Sequence, residues 1–402
     1  MDTNQMLNTF SKYASRLQHF SIPPIKYDVQ RKRVIFREYG NKSLHVWYFN
    51  GVFIMGGYIV ALLYLLVSQL MGRDRVAAPL VLLYGLQCVC AICTISLSFA
   101  MVMYGRDFVA GWNSLLNIVR DYGTTREEDL VESRLWKWMH YVSDSLSLNA
   151  VIVVFAAYAF QLDAFHPILI KYESEHDKVV NSFRFLTIAV ALFEACRNVV
   201  FSILLEISMY RMFRNCIGFM LKESYCTPIE FISSRNRMES VYRHLQIILI
   251  SMDGFHGCAA CSLNFTGLIT GVVCNFFTIR LFSILPIWLY LVFPSAASTT
   301  HALMYLKLPC LQYIPDGSGD VLRKMQMYST LLPKRSRVIV QRRIRSLPVL
   351  RLYAEVGGVK VHRFGRSSKS AYIVYVMTYT INLLLFVGQD AIQSWGKMYL
   401  SP

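Results

Sequence analysis

The feature that most constrains this chain is a series of long apolar runs separated by basic segments. Six stretches, 46–71, 77–104, 147–170, 185–210, 283–306 and 370–389, are each long enough to cross a bilayer core, which takes about 20 mostly apolar helical residues. A seventh, 251–279, carries Asp253, His256 and glycines at 254, 257, 267 and 271; glycine is common in membrane helices, so it counts as a span. Lipid offers backbone N–H and C=O groups no partners, so such runs have to be helical. The expected fold is all-α, a polytopic membrane protein with seven transmembrane helices.

Composition supports this. Only 16% of residues are charged and 54% are hydrophobic, whereas soluble domains are about a quarter charged. The net charge of +16 sits between the runs rather than on a folded polar face, which excludes a soluble enzyme and argues against nucleic acid as a partner. Of the 41 Lys and Arg, 33 fall in segments 1–45, 105–146, 211–250 and 307–369, and 7 in the intervening ones. Positively charged loops stay in the cytoplasm, so the N-terminus is expected inside and the C-terminus outside. Residues 1–45, which lack a signal-peptide pattern, form a cytoplasmic segment with a lipid-facing basic run at Arg31, Lys32, Arg33 and Arg37. This orientation is opposite to that of G-protein-coupled receptors, whose sequence signatures are also missing.

The domain plan that follows is a six-helix bundle over 46–306 with a cytoplasmic helical extension at 211–250. A cytoplasmic assembly segment covers 307–369, a seventh helix 370–389, and a short extracellular tail 390–402. Apolar spacing in 211–250 and 322–369 suits helices continuing beyond the membrane. Pro315-Asp-Gly-Ser-Gly-Asp320 reads as a turn between them.

Charges inside spans are costly and mark functional candidates. Glu194 and Arg197, spaced i, i+3, can pair on one helix face, and Glu206 lies three turns further on; a polar pocket competes here with a packing ion pair. Asp253 and His256 read as a salt bridge or solvated pair at a helix end. Cys88, Cys90, Cys93, Cys196, Cys258, Cys261 and Cys274 lie in apolar runs, where thiols act as small hydrophobes. His301 has only Ser295, Ser298, Thr299 and Thr300 close in sequence. No pattern calls for catalysis, a metal or another cofactor. The sequon at Asn41 falls on the cytoplasmic side and is expected to be silent.

The last run carries a recognisable pattern. Thr378 and Tyr379, five mainly apolar residues, then Leu385 and Phe386 resemble the final-helix signature of the insect gustatory receptor family, with Leu385 where the family has Gln. The stretch Ala354-Glu-Val-Gly-Gly-Val-Lys-Val-His-Arg-Phe364 is similar to the turn before that helix. The resemblance implies a tastant-gated, non-selective cation channel in the plasma membrane of chemosensory neurons. It implies a homo- or hetero-tetramer with the last helices around one pore, cytoplasmic helix extensions as the anchor, and a pocket for a small-molecule tastant in each subunit. With Leu385 on the pore axis, Ile381 and Gln389 share its face, giving an apolar constriction at Leu385 beside Phe386 and a polar ring at Gln389. A receptor signalling through a soluble transducer and a membrane-embedded transferase or transporter are the competing readings.

Overall fold

The computed structural model describes residues 8–12, 23–38, 44–72, 78–122, 141, 149–171, 178–223, 228–282 and 284–388. Along the chain the helices are α1 His45–Leu70, α2 Ala78–Tyr122, α3 Asn149–Ala159, α4 Phe165–Lys171, α5 Lys178–Glu223, α6 Pro228–Arg280, α7 Ile287–Tyr290, α8 Val292–Ser329, α9 Lys334–Arg345 and α10 Ser368–Phe386. Two antiparallel hairpins join them, β1 Ile25–Asp28 with β2 Arg33–Phe36, and β3 Tyr353–Val356 with β4 Val359–Arg363. The fold is therefore mainly helical rather than all-α.

Among the described residues five helices are long and apolar enough to cross a membrane, α1, α2, α5, α6 and α10. This is fewer than the seven expected, and the third and sixth runs show why. The run at 147–170 breaks after Ala159, where Gln161 takes a positive φ of 56°. Asp163 then accepts hydrogen bonds from the backbone N–H of Phe165 (3.0 Å) and His166 (3.2 Å) and opens α4. Asp163 is fully buried and receives Arg184 Nε at 2.9 Å, so an arginine counted with a loop is an internal ion-pair partner. The run at 283–306 breaks at Pro286, and α8 then continues past it to Ser329.

α8 also passes without interruption through 315–320, expected to be a turn. Pro309 and Pro315 lie inside the helix, and tertiary packing overrides their helix-breaking tendency. Ser318 donates to the Pro315 carbonyl (3.1 Å) and accepts from the Leu350 N–H (3.2 Å). A Cβ on Gly317 would lie 2.8 Å from Ile217 Cγ2, so the missing side chain lets α5 and α8 close up.

At 1.5 Å per residue, the 45 residues of α2, 46 of α5 and 53 of α6 are about 68, 69 and 80 Å long. Each is more than twice the ~30 Å of a bilayer core. Helices that project this far need their own core, and two main apolar clusters form beside a minor one of Met55, Ala91 and Ala191. The larger joins Trp112, Phe213, Tyr242, Leu245, Met325 and Leu347, with Phe10 and Tyr27 from the N-terminal region packed in. The smaller, at the opposite end of the bundle, joins Tyr84, Phe276, Phe277, Leu281, Leu285 and Val387.

The hairpins are clamped to these helices. Asn113 of α2 accepts from the Val34 N–H (3.2 Å) and donates to the Val34 carbonyl (2.8 Å). The 354–364 stretch, read as a turn before the last helix, is β3–β4: Gly357 and Gly358 at φ 56° and 86° supply the left-handed two-residue turn. β3 rests on α6 at Gly257, where a Cβ would meet Glu355 Cβ at 2.6 Å.

Candidate functional site

Among the described residues the bundle holds two adjoining, partly open apolar chambers, besides a third between α6, α8 and α10. The outer, about 230 Å³, is walled by α1, α2, α3, α5, α6 and the start of α8. Its polar feature is a bond from Tyr58 OH to Gln87 Oε1 at 2.8 Å, and Gln87 Nε2 in turn reaches the Leu162 carbonyl at 3.4 Å. Tyr58 thereby ties α1 to α2, and the α3–α4 turn closes over them. The Asp163–Arg184 pair, with the Arg184 guanidinium 5.1 Å from the centre of the Tyr158 ring, holds that turn against α5.

The deeper chamber, about 200 Å³, lies between α2, α5, α6 and α8. Cys90, Leu192, Ala195 and Thr270 belong to both walls, so a single layer of side chains separates the two. Thr94, Thr266, Thr299 and Thr300 give the deep wall hydroxyls, and Lys307 is its one charged member.

Of the charged residues singled out in the sequence, Glu194 and Arg197 do pair, both nearly buried. Glu194 Oε1 also accepts from Asn50 Nδ2 at 3.1 Å, at the π-helical turn Asn50–Ile54 of α1. Such turns insert an extra residue and frequently re-aim a side chain at a functional position. Glu206 belongs to a different group. Its Oε2 lies 2.6 Å from Lys307 Nζ and its Oε1 3.6 Å from His256 Nδ1, and Tyr210 OH lies 3.1 Å from the same Nδ1. All four are buried. His256 thus turns away from Asp253, its expected partner. Asp253 instead lines a separate cleft with Arg351, Tyr353 and Lys360, under the β3–β4 hairpin.

Sequence reasoning missed Lys307, counted there as the first basic residue after a span. The signal was its setting between Leu306 and Leu308. It also missed a polar cluster in which His301 lies 3.2 Å from Asn275 on α6 and 3.2 Å from Tyr372 OH on α10. Gly271 makes room for that cluster, since a Cβ there would meet His301 Cε1 at 2.9 Å. These pairings join residues far apart in sequence, and no local spacing announces them. Among the described residues nine cysteines are free and no group of His, Cys, Asp or Glu could hold a metal ion.

α10 is the least covered helix: only Val376 and Thr380 are buried along it. Ile381, Leu385 and Phe386 are 51%, 79% and 88% exposed, and Thr378 and Tyr379 are exposed as well. The far end of α10 is fixed by Arg280 Nη2 donating to the Leu384 carbonyl at 2.7 Å. Gln389 lies outside the described residues, as do Asn41 and the 390–402 tail.

Long apolar helices with apolar chambers between them define a multi-pass membrane protein with cavities of small-molecule size. Solved structures share this fold. The insect olfactory receptor OR5 from Machilis hrabei matches with a TM-score of 0.60 at 10% identity. The same receptor in complex with eugenol matches with a TM-score of 0.57 at 11% identity. Both alignments cover 96% of this chain and 100% of the other. No family model and no curated protein matches the sequence.

Proposed function

We propose that this chain is an insect-type chemoreceptor of the gustatory kind, a ligand-gated non-selective cation channel in the plasma membrane of sensory neurons. The observation that carries the reading is the fold match with the olfactory receptor over 96% of the chain, joined to an apolar chamber within the bundle and to a last helix that the subunit leaves uncovered. Four subunits place α10 around a shared pore. The faces of α10 that the subunit leaves bare, Ile381, Leu385 and Phe386 among them, then serve the pore and the neighbouring subunits. The charge distribution puts the N-terminus and the projecting ends of α2, α5 and α6 in the cytoplasm, where they form the assembly layer.

The outer chamber is the tastant pocket in this reading. Apolar walls with a few placed polar groups suit a small amphipathic molecule, and Tyr58 and Gln87 supply those groups. Ligand binding favours an arrangement in which the Leu385 ring no longer dewets the pore. The experiment is whole-cell recording from cells expressing this chain alone, with G-protein signalling blocked, during application of a tastant panel that begins with eugenol. Ligand-evoked cation current supports the channel. Responses that vanish with the G-protein block would overturn it.

A further inference from the structure

The deep chamber is built differently from the outer one. Its foot is a fixed ammonium: Lys307 Nζ, 2.6 Å from Glu206 Oε2, which is its ionic partner among the described residues. The other oxygen of Glu206 faces His256 Nδ1 at 3.6 Å, and that nitrogen pairs with Tyr210 OH at 3.1 Å; these three stand behind Lys307 and are not part of the chamber wall. An ammonium carries three donors, and its contact with Glu206 is an ion pair in which no donor of Lys307 is committed to a well-aligned hydrogen bond. The remaining wall is apolar or hydroxyl-bearing, and the Thr94 hydroxyl is already bonded to the Cys90 carbonyl at 2.9 Å. The chamber therefore has one polar end with spare donor capacity and an apolar body that backs onto the outer chamber.

Charge decides what that end accepts. Lys307 and Glu206 cancel, so an added anion would stand as an uncompensated charge in an apolar interior, whereas a neutral acceptor costs no charge imbalance. We infer that the deep chamber is a second ligand compartment, taking a slender amphipathic molecule whose neutral hydroxyl, carbonyl or ester head accepts from Lys307. This rests on reading the outer chamber as a ligand site and adds a separate residue and a ligand class. At about 200 Å³ the deep chamber is smaller than the ~300 Å³ at which drug-sized sites begin, so it takes a slender chain and leaves the outer chamber free for its own ligand.

The test is photolabelling of the purified full chain in lipid nanodiscs with a diazirine derivative of n-octanol, the diazirine beside the hydroxyl end, followed by mapping of labelled residues. A photoreactive hydrocarbon of equal length is the comparison probe. The alcohol is expected to mark Ile203, Ile207 and Leu303, and the hydrocarbon to show no preference for them. In Lys307→Met the deep labelling falls by about tenfold or more, as loss of a charged donor implies. The double variant Glu206→Gln with Lys307→Met leaves no unpaired charge and shows the same loss in a protein with near-native thermal stability, which separates loss of the site from misfolding. Labelling by the alcohol confined to outer residues such as Val153 and Phe293 would overturn the inference while keeping the outer pocket. Labelling of neither chamber would overturn both. Competition by octanoate as strong as by n-octanol would overturn the neutral-head assignment.

Discussion

Removing one member of the Glu206–Lys307 pair tests the electrostatics of the bundle core directly. At the observed 2.6 Å and an effective dielectric of about 20, the attraction is about 6 kcal/mol, from which several kcal/mol of desolvation per ion must be subtracted. The pair is thus close to neutral as a unit but costly to break, and Lys307→Met should destabilise by about 3–5 kcal/mol because it strands a carboxylate inside apolar surroundings. Glu206→Gln should do the same through the stranded ammonium. The double variant should recover most of the loss, since two neutral side chains of similar volume need no ion partner. Tryptophan-fluorescence thermal unfolding in detergent, run on wild type, both singles and the double, reads the coupling as a double-mutant cycle. Both singles should melt well below wild type and the double above either. A double variant as unstable as the sum of the singles would refute the reasoning, because it would mean that these side chains hold the core by shape and not by mutual charge compensation.

Other perturbations follow from the same geometry. Leu385→Gln should raise the resting cation current, since a polar side chain keeps an apolar ring wet; an unchanged current would mean that Leu385 does not line the pore. Gly111→Ala should destabilise by about 1–3 kcal/mol in the same melting assay, because its Cβ would stand 2.4 Å from Ser251 Oγ and 2.6 Å from Met252 Cγ. Burial pushes the Tyr27 phenol up to about 12, with Arg120 drawing it down and Asp28 raising it to lesser degrees. The folded state therefore holds a proton that the unfolded chain releases near 10, so Tyr27 costs stability as pH rises from about 10 towards 12. Tyr27→Phe should flatten that alkaline decline; an equally steep decline would place its cause elsewhere.

Much of the helical plan was legible because it depends on one local quantity, apolar run length. The spans around α1, α2, α5, α6 and α10 announce themselves in this way, and so does the Glu194–Arg197 pair, whose i, i+3 spacing puts both side chains on one helix face. Local chemistry misled where packing overrode it. Pro315 to Asp320 has the composition of a turn, yet it stays helical because Gly317 fits against Ile217 and Ser318 bridges to Leu350. Asp163 and Gln161 divide the third run because a buried arginine 21 residues away pairs with the aspartate. The strands at 25–36 and 353–363 are too short to show a strong period, and helices α2 and α6 hold them in place.

The sequence by itself determined that this protein lives in a membrane, which segments are apolar, and where charge is confined, because these follow from the cost of placing polar groups in hydrocarbon. It also supplied the final-helix pattern at Thr378, Tyr379 and Phe386. Only the tertiary structure decided which charges meet. Glu206 finds Lys307 and His256 across three helices, and His301 finds Asn275 and Tyr372 across three. The chambers are likewise products of packing, since a cavity is the space that side chains from many helices leave between them, and pairwise spacing along one helix does not encode its volume. The physical reason is range: hydropathy acts residue by residue, whereas ion pairing and cavity shape depend on how whole helices slide and rotate against one another.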